Sequence, residues 1–147
     1  MKIYLLFTGL LLANLSCSHS ENNIFAVRTT SYTHNESDHL KYGRKTAIGT
    51  ELKTGTAAAD WSIFPVGTIL NIAGERFEIS DYGSALVKTK GEIPVIDIYK
   101  KSFAEMNKWG VKFLDIEVLK WGDFERSKEI LSGRLKYKHC REMHERL

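Results

Sequence analysis

Three aspartates, Asp60, Asp81 and Asp97, stand in settings that could give a carboxyl group work to do. Asp97 lies inside the apolar run Val95-Ile96-Asp97-Ile98. Desolvation there disfavours the ionised form, so its pKa is expected to rise. A carboxyl kept protonated near neutral pH is what glycosidic bond cleavage requires of a general acid. The plainer reading is an outward-facing residue on a half-exposed strand, since a period of two puts Val95 and Tyr99 on its face and Ile96 and Ile98 opposite. Asp81 is followed by Tyr82-Gly83, so turn duty competes with chemistry at that position. Asp60 follows Ala57-Ala58-Ala59 and precedes Trp61. Small residues permit close backbone approach beside an acid and an aromatic, whereas a loop cap is the simpler role.

These residues need elements to hold them. With 147 residues, 43% hydrophobic and 27% charged, the chain can bury one modest core. Phe25 to Thr33 is rich in β-branched and aromatic residues and predicts a strand, followed by a polar loop to His39. Ile69 to Ile79 predicts a hairpin turning at Ala73-Gly74-Glu75, with Pro65 and Gly67 marking the bend into it. Pro94 to Tyr99 predicts another strand. Ser102 to Trp109 predicts a short helix, with Ser102 as N-cap and Gly110 as C-cap. Val111 to Leu119 is expected to be the last strand, with Val111, Phe113, Ile116 and Val118 facing in. Short strands with little helical periodicity argue for a mainly β, compact barrel over residues 25–121. The charged extension 122–147 predicts one or two weak helices outside it.

The first seventeen residues read as an address: Lys2, an apolar run from Ile3 to Ala13, then Asn14-Leu15-Ser16-Cys17. Cys17 after the apolar run is similar to a bacterial lipobox, in which the thiol is acylated; cleavage after Ser18 is the alternative. Either makes this an exported protein, expected in the periplasm or on the outer membrane, with residues 18–24 as a linker. The formal charge of +3 is too mild for a nucleic-acid binder. Cys17 and Cys140 are the two cysteines and sit in opposite appendages, so no disulfide framework is expected, and Cys140 reads as a bystander thiol. His34, Glu36, Asp38 and His39 crowd one loop without the spacing of a metal site, and no metal or cofactor is expected. A monomer is the default.

The order of landmarks adds a resemblance. Thr46-Ala47-Ile48-Gly49-Thr50, Ala57-Ala58-Ala59-Asp60, Phe64-Pro65-Val66-Gly67-Thr68, Asp81-Tyr82-Gly83-Ser84, Asp97-Ile98-Tyr99 and Trp109-Gly110 follow one another as in the 3D (three-aspartate) domain family. That family is related to membrane-bound lytic transglycosylase A, rare lipoprotein A and the expansin-like barrels. The resemblance covers about Val27 to Trp121 and implies a six-stranded double-psi β-barrel. It implies that Asp97 is the catalytic acid of a peptidoglycan lytic transglycosylase. Asp97 would protonate the oxygen between N-acetylmuramic acid and N-acetylglucosamine, then take the muramic 6-hydroxyl proton as a 1,6-anhydro ring closes. Asp81 and Asp60 would orient substrate and tune that acid, because a neighbouring negative charge raises its pKa. Tyr32, Trp61 and Tyr99 become candidate sugar platforms or core aromatics, and Thr46 and Gly83 candidate substrate contacts within the matching motifs.

The chain departs from the family pattern after Asp81. Ser84 replaces a glycine and the segment Ala85 to Ile93 is longer, with Lys88 and Lys90 available to stem-peptide carboxylates or simply to solvent. A glycoside hydrolase on the same barrel and a non-catalytic wall-binding module are the competing expectations. Hydrolysis normally needs a second carboxylate.

Overall fold

A computed structural model of the protein describes residues 23–89 and 91–147. The expected leader with Cys17, most of the linker, and Lys90 lie outside the described residues. The β-branched and aromatic runs become the strands β1 (Ile24–Tyr32), β2 (Thr56–Ala58), β3 (Ile69–Ile72), β4 (Glu75–Asp81), β5 (Val95–Tyr99) and β6 (Lys112–Lys120). They close into one mixed barrel in the order β1-β5-β2-β4-β3-β6. The pairs β1–β5 and β2–β4 are parallel and the other pairs antiparallel. Among the described residues, four α-helices accompany them: α1 (Ser37–Leu40), α2 (Phe103–Trp109), α3 (Phe124–Ser132) and α4 (Lys138–Arg146).

The expected hairpin forms as β3 and β4, but its turn is the two residues Ala73-Gly74, at φ 53° and 84°. Two successive positive φ values give the mirror-image turn whose twist suits a tight hairpin. Helix α2 begins as expected, with the Ser102 side chain accepting from the Glu105 amide, and ends on Gly110 at φ 65°. Strand β2 has no counterpart among the sequence expectations. Thr56-Ala57-Ala58 is too short and too poor in large side chains to signal a strand, yet it is buried throughout because two longer strands enclose it.

Two corrections concern the last strand. Val111 and Phe113 are exposed, at 57% and 70%, whereas Ile116 and Val118 are buried. A strand alternates strictly, so the odd pair and the even pair cannot share a face. The inward parity is even, and half-buried Leu114 continues it.

The extension lies outside the ring of strands but belongs to its core. Leu131, Cys140 and Met143 are fully buried in one cluster with Trp61, Phe64, Val66 and the barrel interior. Asp123 caps α3 by accepting from the Arg126 amide. The fully buried Ser127 hydroxyl accepts from the Val66 amide at 2.9 Å and donates to the Asp123 carbonyl at 2.8 Å. Gly122 makes this junction possible. A Cβ there would lie 2.3 Å from the Val66 carbonyl oxygen and 2.5 Å from the Thr68 amide nitrogen. Those are backbone atoms that no rotamer change can move. Gly122→Ala is therefore expected to cost about 3 kcal/mol, a melting point lower by roughly 10 °C, measured by thermal unfolding.

Candidate active site

Register places two of the three aspartates, Asp97 and Asp81, in one row. Thr30 of β1 pairs with Asp97 of β5, Asp97 pairs with Ala58 of β2, and Ala58 pairs with Asp81 of β4. The row runs across the outer face of four neighbouring strands. Asp97 and Asp81 both pair with Ala58, the second across a register shift between β2 and β4, so their backbones stand two strand spacings apart, about 10 Å. Ala58 therefore forms the floor between two carboxyls. Beneath them Ile96 and Ile98 face the barrel interior, while Val95 and Tyr99 join a second buried cluster with Tyr32, Leu52, Ala58 and Leu86. Asp97 thus points outward, as the plainer reading has it, and is half-buried on the face where Tyr32, Leu52, Leu86 and Tyr99 cluster.

Asp97 is half-buried and accepts a 2.7 Å hydrogen bond on Oδ1 from the Thr30 hydroxyl. Burial pushes its carboxyl up to about 6. The Thr30 bond and Arg28 oppose the rise, and the charges of Glu36 and Asp81 add to it. Asp81 is buried. Its Oδ1 accepts from the amides of Ala47 at 2.9 Å and Tyr82 at 3.0 Å, and its Oδ2 accepts from the Tyr32 hydroxyl at 3.1 Å. Burial raises its pKa too, while these three donors and the charge of His39 work against the rise. Tyr32 is held above the ordinary phenol range by burial and by Asp81.

Asp60 has other partners. Its carboxylate is buried at 2% exposure, and Oδ1 accepts from the Ser62 amide at 2.9 Å and hydroxyl at 2.6 Å. Oδ2 lies 3.0 Å from Arg146 Nη2 of α4, an ion pair without a well-aligned hydrogen bond. Its backbone carbonyl also starts the turn into Phe64. This is the loop-capping role, with a buried counterion added from the far end of the chain.

The aromatic candidates divide. Trp61 is fully buried and donates its indole N–H to the Asp81 carbonyl at 2.9 Å, so it supports the site from below and presents no face to a sugar. Tyr99 is 2% exposed with its hydroxyl 2.8 Å from His34 Nδ1, and Tyr32 stands edge-on to it. Thr46 ties its hydroxyl to that of Thr50 at 2.7 Å and shapes the loop carrying Ala47. The Gly83 carbonyl accepts from the Leu86 amide and starts the short turn that seats Leu86 in the cluster with Tyr32 and Tyr99.

Sequence reasoning missed Thr30 and His39 as site residues. Thr30 carries no signal until the β1–β5 register is known. His39 reads as one of several polar loop residues, yet it packs with its ring 5.6 Å from that of Tyr32 and its charge acts on Asp81. Among the described residues, no three His, Cys, Asp or Glu side chains gather as a metal would require. A cleft of about 500 Å³ bordered by Ile48, Thr50, Glu51, Arg76 and Glu78 lies elsewhere on the barrel and contains none of the three aspartates. Compared with protein-family models and with curated proteins, the chain matches none.

Proposed function

We propose that this protein is a peptidoglycan lytic transglycosylase, exported from the cytoplasm, in which Asp97 cleaves the bond between N-acetylmuramic acid and N-acetylglucosamine. The observation that carries the reading is a half-buried carboxyl on the outer face of β5, raised to about 6 by burial, with a second carboxyl two strands away across Ala58. At neutral pH a useful fraction of Asp97 is protonated and can serve as general acid. Once it has given its proton to the leaving oxygen, the carboxylate can take the muramic 6-hydroxyl proton as the anhydro ring closes. The proton is returned and no water is consumed. The parallel pairs β1–β5 and β2–β4, joined through antiparallel β2–β5, are the pairing that two interlocked crossovers produce, which favours the double-psi form of barrel.

The disposition of the other carboxyls favours this over hydrolysis. A hydrolase would need a second carboxylate free to attack or to activate water. Both oxygens of Asp81 are occupied by three donors, and Asp60 is closed off by Ser62 and Arg146. The test is digestion of isolated sacculi with mass analysis of the products. Ends lacking one water are expected. Reducing ends would instead make the protein a hydrolase, and binding to sacculi without release would make it a wall-binding module. The rate is expected to fall as pH rises through about 6, because deprotonating Asp97 removes the acid. A pH profile flat from 5 to 8 would remove Asp97 from that role.

A further inference from the structure

One side chain of the extension reaches both loops that hold Asp81. Arg134 follows α3, its amide bonded to the carbonyl of fully buried Leu131. Its Nη2 donates to the Ala47 carbonyl at 2.7 Å and its Nη1 to the Tyr82 hydroxyl at 2.9 Å. Ala47 and Tyr82 are the two residues whose amides hold Asp81 Oδ1. They come from separate loops, and among the hydrogen bonds of the described residues no backbone pair joins one to the other. A guanidinium is a rigid planar fork with donors in fixed directions, so it can set the spacing of two acceptors in a way a lysine cannot.

We propose that Arg134 is a positioning residue for Asp81: one guanidinium clamps the two loops whose amides cradle the Asp81 carboxylate, and so governs the charge that faces Asp97 across Ala58. This rests on the reading of Asp97 as the acid and Asp81 as its support. The groups facing Asp81 are the Tyr32 hydroxyl from β1, His39 from α1, Asp97 from β5 and neighbouring Tyr82, with Arg134 behind the two amides. Among the hydrogen bonds of the described residues, none of the others joins both loops. When Arg134 is lost, the Ala47 amide is free to drift from Oδ1. A carboxylate that loses a donor gains proton affinity. Asp81 then carries less charge at a given pH, and Asp97 loses part of what holds its own proton.

The experiment follows the amide proton shifts of Ala47 and Tyr82 by NMR against pH in wild type, Arg134→Gln, Arg134→Lys and Tyr82→Phe. Both amides should titrate together in wild type. In Arg134→Gln the pH-dependent shift of the Ala47 amide should shrink by about half or more and the midpoint should rise, with Arg134→Lys recovering only part. Muropeptide release should fall about tenfold through kcat, and its basic limb should move to lower pH. Should Arg134→Gln fail to fold, Tyr82→Phe removes one arm of the clamp while leaving the ring against Trp61, and the same changes are expected at smaller size. Folded variants whose two amides titrate as in wild type would overturn the clamp. If the amides behave as expected while wild type releases nothing from sacculi, the clamp stands and the proposed activity fails. Anhydro-muropeptide release by wild type, with amides that do not respond to the loss of Arg134, leaves the activity standing and removes the clamp.

Discussion

Asp97→Asn is expected to reduce release of anhydro-muropeptides from isolated sacculi by about 10²- to 10⁴-fold, the usual weight of a general acid, and to make the protein more stable at pH 7.5. The two effects share a cause. Burial raises the Asp97 pKa from 3.8 to about 6, so the folded state binds this proton more tightly than the unfolded chain does. The stability gained from that proton is fully present below pH 3.8 and is lost as pH rises through about 6. Above pH 6 the wild type therefore folds around a poorly solvated charge. Asparagine removes the charge while its carbonyl can still accept from Thr30. The shift converts to at most about 3 kcal/mol, and water reaching the half-buried carboxyl should reduce that to about 1–2 kcal/mol. A melting point raised at pH 7.5 but unchanged near pH 4 checks the linkage, and product release checks the chemistry. Full activity in Asp97→Asn would end its assignment as the acid.

How far this site is legible in the sequence depends on the residue. Asp97 is the clearest by residue type, a lone carboxylate in an apolar run, but its desolvation comes from its own face of the strand, where Val95 and Tyr99 are buried, and not from Ile96 and Ile98, which face the interior. That it faces Thr30, and that Asp81 stands one alanine away, follows from register between strands distant in sequence, which no local pattern encodes. Strand β2 is invisible for a related reason: its alanines have no pattern of their own and are strand only because β4 and β5 pair with them. The misreading of Val111 and Phe113 comes from counting apolar residues without holding to one parity. The extension reads as weak helices since its apolar residues are sparse among charges. Leu131, Cys140 and Met143 are few, but all three are fully buried, and Arg134 and Arg146 among those charges reach into the loops around the aspartates.

Arg146 carries the second large expectation. Asp60 is 2% exposed, its Oδ1 is satisfied by Ser62, and its Oδ2 has only the Arg146 guanidinium, itself about one-third exposed, at 3.0 Å. Removing the cation leaves a buried carboxylate oxygen with nothing opposite it, the costly way to break such a pair. Arg146→Met is expected to destabilise the protein by about 3–5 kcal/mol, a melting point lower by roughly 10–20 °C. Asp60→Asn should cost less, about 1–2 kcal/mol, because its carbonyl oxygen keeps both Ser62 bonds and the freed arginine can turn to water. The double variant should then resemble Asp60→Asn alone, leaving a coupling in the cycle as large as the cost of Arg146→Met itself, about 3–5 kcal/mol. The outcome also bears on mechanism. If Arg146→Met unfolds like wild type, Asp60 has no need of its counterion and its second oxygen is available to a substrate water. A second free carboxylate is what hydrolysis requires. A large coupling instead makes Asp60 the anchor that fixes the extension to the barrel, and leaves Asp97 to act with Asp81 alone.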